Sequence, residues 1–395
     1  MDFDRLCDLV KEPEDDHHDF KQQWYHKGQK DEMVKDIFSF VNTTHRDDCY
    51  LIIGETDDYN IVGVENDCNR LTQQKLISYF DCLPISGGII PDLKINTFNY
   101  KGHELDVIII PNTFDVPVYL KKKWTEKGTK NVVYPGQIFM RHEDGNTSKI
   151  ETAEYPQVER LWRKHFRLDS KIDERYSYVL SDISAWSYNE INIWEYRYDV
   201  DPSFYMELEN VDTIAMRSYD SYSIDQLDPQ IGWFTLKLKY NNQVINELNL
   251  NSIDGTRGMI VVPDSCIVDD VSLLSFKYFL KDSLKSKVQN LLKYGSTTRE
   301  DDYSLSKFEE SIAYFENSAQ KDEIVEILKK NKNQILERIE PNEGEVSDVL
   351  ERVQGIFSFS DRKITKEEVE ITIRQKNLGK IVNAYLNRIG NCKSE

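Results

Sequence analysis

The segment Glu14–Lys21, EDDHHDFK, concentrates the residues best suited to chemistry. Glu14, Asp15, Asp16 and Asp19 crowd into it, with His17 and His18 among them and Lys21 closing the run. Carboxylates this close repel one another, so they are accommodated either in solvent or around a cation. A second acidic pair, Asp57-Asp58, follows the apolar run CYLIIG, Cys49 to Gly54. An acid at the end of a buried strand is held rigidly while facing a cleft. Placed near Glu14 and Asp19, Asp57 would supply a third oxygen ligand for a hard divalent cation, Mg²⁺ or Mn²⁺. Such a centre can activate water and stabilise the charge that develops in an in-line phosphodiester cleavage. Lys21 would neutralise a phosphate oxygen or orient a carboxylate. The plainer readings are a solvated charge run and, for Asp57-Asp58, ordinary hairpin-turn chemistry.

The elements that must position these residues are mixed. Phe3, Leu6, Leu9 and Val10 give a short amphipathic helix ending near Pro13, and Glu14–Tyr25 reads as extended. Met33, Val34, Ile37, Phe38 and Val41 recur at helical spacing after Asp31-Glu32. Cys49–Gly54 is a buried strand, and Ile61–Glu65 is expected to return against it as a hairpin. Leu71–Cys82 is a further helix. Leu93–Phe98 and Leu105–Pro111 flank a turn at Tyr100-Lys101-Gly102; strands are expected at Val116–Leu120 and Ile138–Arg141, then a helix over Ala153–Phe166. From Tyr176 to Ile267 strands dominate, including Ile191–Tyr198, Tyr205–Leu208 and the strictly alternating Phe234–Tyr240, which an Asn241-Asn242 turn returns to Val244–Leu250. Beyond them Phe276–Tyr294, Lys321–Ile339 and Lys366–Ile389 read as helices whose apolar stripes are packing faces. The expected class is α+β: an N-terminal mixed α/β domain over 1–170, a β-rich domain over 171–295 ending in a helix, and a helical region over 296–395.

Composition narrows the function classes. Of 395 residues, 30% are charged, and the formal net charge of −19 argues against broad, non-specific nucleic-acid binding. The acidity is shared, at about −8 up to Ser170 and about −11 beyond. A nucleic-acid partner needs a local basic patch, and the loop Lys121–Lys130, KKKWTEKGTK, supplies one: Lys121, Lys122 and Lys123 to hold phosphates, with Trp124 to stack a base. A solvated loop offsetting an acidic domain is the plain alternative. Six scattered Cys, with no CxxC, speak against a zinc site built on Cys or a disulfide framework and suggest a reducing cytoplasm. No apolar run is long enough for a membrane span, and the acidic N-terminus lacks the pattern of a signal peptide. All seven His lie at or before His165, so His-dependent chemistry belongs to the N-terminal domain. There is no GxxxxGK[ST] phosphate loop, GxSxG elbow or Cys/His nucleophile arrangement.

The ordered set EDDHHDFK, DEMVKDIFSFVNTT, CYLIIGETDDYNIVGVE and DVPVYLKKKW…GQIFMRHEDGNTSKIETAE resembles the Alba-like nucleic-acid-binding domain of the Schlafen family, over about Leu6 to Phe166. The resemblance implies a metal-dependent endoribonuclease acting mainly on tRNA-like RNA through three acids. Glu14 and Asp19 match the first two, Lys21 the following Lys, and Asp57 the third, with Asp58 as its alternative. Arg141 matches a recurrent family Arg that would reach a phosphate or a structural carboxylate. Two positions depart from the pattern. Asp19 stands where Glu is usual, and His45–Asp48, HRDD, replaces a glycine pair. With one signature copy in the chain, a homodimer or regulatory protein partner would supply the second wall of an RNA groove, in a toxin-like or antiviral effector. A non-catalytic DNA-binding or regulatory module of the same fold is the competing expectation.

Overall fold

The stripe Met33, Val34, Ile37, Phe38 and Val41 forms one buried face of helix α2 (Lys30–Val41) in the computed structural model. The structure describes residues 1–56, 58–142, 145–189, 194–210, 218–255, 257–295, 299–358 and 362–392. Contacts divide the chain into two compact units, Met1–Lys171 and Ile172–Glu395.

In the first unit, α1 (Phe3–Leu9) precedes strand β1 (His18–Lys21), and α2 leads to β2 (Cys49–Ile53). Helix α3 (Gln73–Asp81), capped by Thr72, leads to β3 (Lys94–Tyr100) and β4 (His103–Ile110). Two short ribbons, β5 (Trp124–Thr125) with β6 (Val132–Val133) and β7 (Arg141–His142) with β8 (Gly145–Asn146), precede α4 (Tyr155–His165). The main sheet has the order β1-β2-β4-β3, with β1 parallel to β2 and the other pairs antiparallel. Alternation along the strands splits its faces. Leu51, Ile53, Ile108 and Ile110 pack with α2 and α3, whereas Phe20, Ile52, Val107 and Ile109 pack with Leu6 and Leu9 of α1. Asp19, next to Phe20 in β1, therefore points to the α2 side.

The expected strand at Ile61–Glu65 reduces to one bridge, Glu55 to Ile61. Both edges of β2 are already occupied by β1 and β4, so no ladder position remains for it. The Gly54 carbonyl accepts instead from Val62 and Gly63, at 2.8 and 3.0 Å. Gly54 adopts φ 111°, and a Cβ there would stand 2.8 Å from Leu105 Cδ2, so only glycine suits the turn. The expected strands at Val116–Leu120 and Ile138–Arg141 are mostly irregular. The buried Asn42 side chain ties them, donating to the Val118 and Phe139 carbonyls (both 2.9 Å) and accepting from Val118 N–H at 2.6 Å.

The second unit opens with α5 (Ile172–Val179) and contains a six-stranded antiparallel sheet. Its strands are β9 (Trp186–Asn189), β10 (Glu195–Tyr198), β11 (Phe204–Asn210), β12 (Gly232–Tyr240), β13 (Gln243–Ile253) and β14 (Gly258–Val261). Asn241 and Asn242, both at positive φ, turn β12 into β13 as expected. Part of the expected strand Ile191–Tyr198 lies outside the described residues. A smaller sheet holds β15 (Asp264–Asp269), β16 (Leu274–Leu280) and, after helices α6 (Leu284–Tyr294) and α7 (Arg299–Glu310), β17 (Ile312–Phe315). The helix expected from Phe276 therefore begins eight residues later, at Leu284. Phe276, Tyr278 and Phe279 favour the pleated surface between β15 and β17.

The described residues beyond 295 belong to the same compact unit as the β-rich part and do not form a separate helical region. Strand β17 pairs in parallel with β16, and the final helix, described below, packs on both. Helices α8 (Ser318–Lys330) and α9 (Lys332–Ile339) divide at Asn331 what the sequence suggests is one helix. Helices α10 (Glu343–Ile356) and α11 (Lys366–Cys392) complete the unit.

Gly379 marks where α11 meets the strand-bearing segment, since a Cβ there would lie 2.0 Å from the Ser311 carbonyl oxygen. Helix propensity favours Ala over Gly by about 1 kcal/mol, but forced overpacking costs about 1–3 kcal/mol. Gly379→Ala is expected to lower stability by up to about 2 kcal/mol net, read from the urea midpoint. A stabilised variant would show that α11 does not make this contact.

Candidate acidic site

The acids of the first unit are organised by a bracket in the loop before β1. Asp15 accepts from the backbone N–H groups of His17 (2.7 Å) and His18 (2.9 Å), an Asx-type turn. The fully buried His18 ring places Nδ1 2.8 Å from the same carboxylate and Nε2 3.5 Å from the Glu12 carbonyl. Burial works against the Asp15 charge, yet these donors hold its carboxyl below the usual range. Asp15 and His18 are thus the scaffold of the loop.

Glu14 folds back over β1, where its Oε1 accepts from the Phe20 N–H at 2.8 Å. There it meets Asp19, and the two carboxyls hydrogen-bond to each other. Two cations serve the pair. Lys21 Nζ contacts Asp19 Oδ2, while Arg141 Nη1 lies 3.3 Å from Asp19 Oδ1 and Arg141 Nη2 lies 3.5 Å from Glu14 Oε2. Arg141 also donates to the carbonyls of Asp15 and His18 and lies over the Phe40 ring at 5.1 Å.

The site splits the two acids electrostatically. Burial, followed by the hydrogen bond and charge of Asp19, pushes Glu14 up to about 7. Asp19 is also buried, but Lys21 and Arg141 outweigh that penalty and hold it below the usual carboxylate range. Below about pH 7 the pair therefore keeps one proton, on Glu14, while Asp19 is ionised, the behaviour of two carboxyls that cannot both ionise freely.

The structure brings together Glu14, Asp19, Lys21 and Arg141. Asp57, expected as the third acid, lies outside the described residues, and Asp58 is exposed. Arg141, expected at a phosphate or a structural carboxylate, takes the second role here: its side chain is only 1% exposed and is committed to Glu14, Asp19 and two carbonyls. Lys121, Lys122 and Lys123 are exposed, on a segment that also contains Glu126. Glu126 accepts from the N–H groups of Gly28 (2.6 Å) and Lys30 (3.2 Å), pinning this segment to the start of α2. Trp124 is not free to stack a base as expected. It is half-buried, packing on the core and edge-on against Tyr79 at 6.3 Å between ring centres.

Three features escaped the sequence reading. Asp36, buried in α2, accepts from Tyr25 Oη at 2.6 Å and from Asn146 Nδ2 at 2.8 Å, and its charge acts on Lys21. It is an acid next to the apolar stripe Met33, Val34, Ile37 and Phe38 of α2, which is a readable signal. Glu55 is fully buried, neither of its carboxyl oxygens has a hydrogen-bond partner among the described residues, and burial pushes it up to about 7. The opposing charge that acts on it is that of Lys101, in the β3–β4 turn. Lastly, Arg160, Arg163 and Lys164 on α4 line a cleft with Arg167, Arg46 and Phe114. The spacing of 160, 163, 164 and 167 is that of one helix face and was legible.

The donor set at Glu14 and Asp19 fits a hard divalent cation, because both groups offer carboxylate oxygen and they converge on one point. Chemically, the arrangement is an α+β domain with a paired, partly protonated acid site. Residues 14–149 match the family model described as Schlafen, AlbA_2, and this part of the chain is a domain of that family. Two solved structures are also similar. One is the crystal structure of the DIP2311 protein from Corynebacterium diphtheriae, 15% identical with a TM-score of 0.25, covering 40% of this chain. This chain covers only 25% of that one's length. The other is the solution structure of the N-terminal domain of an ATP-dependent DNA helicase RecG-related protein from Nitrosomonas europaea, 18% identical with a TM-score of 0.24, covering 38% of this chain and 94% of that domain. No curated protein matches the chain.

A raised folded-state pKa contributes stability that is present below the unfolded value and lost as pH rises through the folded one. For Glu14 that window runs from 4.5 to about 7. Thermal scans should show wild type losing stability across it and Glu14→Gln losing less, the remaining slope falling again in Glu14→Gln/Glu55→Gln. Asp19 has the opposite sign: its contribution is present above 3.8 and lost on acidification. Removing the shared cation with Arg141→Met should cost about 3–5 kcal/mol in urea unfolding, the scale for orphaning buried charges.

Proposed function

We propose that the first unit is a metal-dependent endoribonuclease acting on structured RNA such as tRNA. The observation that carries this reading is the convergence of Glu14 and Asp19 beside Lys21 and Arg141, within a Schlafen AlbA_2 domain. Glu14 and Asp19 would hold Mg²⁺ or Mn²⁺, with Asp57 as the third ligand that the family resemblance implies. A bound divalent ion supplies water activation and charge neutralisation in phosphodiester cleavage. The residues of the chain do the rest. Arg141 fixes the directions of both carboxylates from behind. Lys21 leaves Asp19 to meet a phosphate oxygen, and Glu14 gives up its proton before it can ligate. Lys121–Lys123 hold RNA phosphates at the surface, and a second copy of the chain supplies the opposite wall of the groove.

A specific observation favours one competitor. Lys21 and Arg141 already neutralise the acid pair, as a purely structural ion cluster in a non-catalytic DNA-binding or regulatory module would require. Incubating the full chain with tRNA and Mn²⁺ or Mg²⁺ separates the two. Cleavage should rise with pH through about 7 as Glu14 ionises. Glu14→Gln and Asp19→Asn should each reduce it beyond the roughly 10–100-fold that changes behind a metal ligand cost. Binding without cleavage, unchanged in these variants, would establish the module instead. Lys121→Ala/Lys122→Ala/Lys123→Ala should weaken RNA binding and flatten its log–log salt dependence by about 0.7 for each single-strand phosphate that these lysines neutralise. An unchanged slope would remove this loop from the interface. Sedimentation showing only monomer at all concentrations would exclude the two-copy groove.

A further inference from the structure

A second cluster, chemically unlike the acid pair, lies on the same loop. Asp16 and His17 come from the turn before β1, and His45 comes from the polar link between α2 and β2. Each can offer one ligand atom, and these three atoms lie within 4.8 Å of one another. The two imidazoles stack with centroids 4.1 Å apart and an interplanar angle of 22°. Asp16 Oδ1 is 2.8 Å from His17 Nδ1, and the Asp16 carbonyl is 3.2 Å from His45 Nε2. Three side chains from two separate segments thus meet at one partly exposed spot.

We propose that Asp16, His17 and His45 form a binding site for a divalent d-block cation of the zinc type, distinct from the site at Glu14 and Asp19. Two imidazoles and one carboxylate are the donors that such ions take, whereas Mg²⁺ and Ca²⁺ prefer oxygen alone. One outer acceptor is in place: Asp47 Oδ2, 3.5 Å from His17 Nε2, can take that ring's outward N–H. Tetrahedral bonds of about 2.0–2.1 Å put ligand atoms about 3.3 Å apart. Closure from the observed spread of up to 4.8 Å requires the stacked rings to turn their lone pairs toward a common point, and Asp16 and His17 are both partly exposed.

Such an ion would tie the turn before β1 to the link before β2. Asp16 and His17 lie between Glu14 and Asp19, so its occupancy would hold the loop that carries the acid pair. The proposal does not depend on catalysis there, and its test reads binding rather than turnover.

The full chain, stripped with a chelator, is titrated with Co²⁺ and followed by visible absorption, then challenged with Zn²⁺ and separately with Mg²⁺. One equivalent of Co²⁺ should give ligand-field bands of a low-coordinate site that Zn²⁺ abolishes and excess Mg²⁺ leaves intact. The bands should vanish in His17→Asn/His45→Asn and in Asp16→Asn, and persist in Glu14→Gln/Asp19→Asn. Circular dichroism of the metal-free variants identifies any that fail to fold, and the folded ones decide the result. Absence of bands in wild type, their survival in the folded Asp16 and His variants, or their loss only in Glu14→Gln/Asp19→Asn would each overturn the assignment.

Discussion

Two carboxyls packed against each other in a partly dry place need positive charge close by, and the architecture of the first unit is arranged around that need. Arg141 meets it from the far end of the domain. Its guanidinium reaches both acids, two carbonyls of the loop and the ring of Phe40. The β7–β8 ribbon that carries it is stitched to α2 by Asn146 and Asp36. Closure of the unit and neutralisation of the acid pair are therefore one event. A buried ion cluster adds little net stability over an apolar substitute, but loss of one member is costly. The cluster consequently specifies where the loop lies more than it strengthens the fold.

The same cluster sets the state in which the site could work. While Glu14 holds its proton, the pair carries one negative charge beside two cations, so the cluster is net positive: it does not repel a phosphate, and it presents no ready-made cation cage. Deprotonation of Glu14 changes that balance by a full charge. Lys21 is the cation with freedom to respond, being about a third exposed where Arg141 is sealed. Asp36 on its other side helps to hold the lysine charged. Movement of Lys21 between Asp19 and a ligand is thus a small displacement within one field, not the breaking of an isolated ion pair.

Much of this was legible in the chain, and the failures have physical causes. The stripe of α2, the β3–β4 turn at Lys101-Gly102 and the pairing of β12 with β13 follow from local periodicity and turn chemistry, and the structure contains them. Phe276–Leu280 reads as the start of a helix because Leu280, Leu284 and Leu291 continue its spacing. Its conformation is decided by two strands from elsewhere in the chain, β15 and β17, which no local pattern reveals. The choice of Glu14 and Asp19 among four acids came from resemblance, not from spacing. The bracket formed by Asp15 and His18 shows why neighbours differ: in a tight turn each successive side chain takes a different direction. Trp124 looked like a stacking platform because it sits among lysines, but an indole beside a core is worth more buried than in water. Arg141 could be read toward either a phosphate or a structural carboxylate, because a sequence shows charge without showing what lies opposite; the carboxylates of Glu14 and Asp19 lie there.

The formal charge of −19 then poses a question that burial answers. Screening limits a surface charge to about 8 Å at physiological ionic strength, so an acidic total does not forbid a local basic face. The first unit has two candidates: the exposed lysines beside Trp124 and the α4 face of Arg160, Arg163 and Lys164. They differ in how much charge is available. Lys164 is buried, pushed down to about 8 by that burial, and spends its ammonium on the Thr43 and His45 carbonyls, at 2.8 and 2.9 Å, while Arg163 pairs with Asp169. Lys121–Lys123 are exposed, and Lys123 lies over the Tyr134 ring at 6.0 Å, so a phosphate has mainly water and counterions to displace. A polyanion should therefore gain more from the lysine loop than from the α4 face, although α4 carries the better-ordered array.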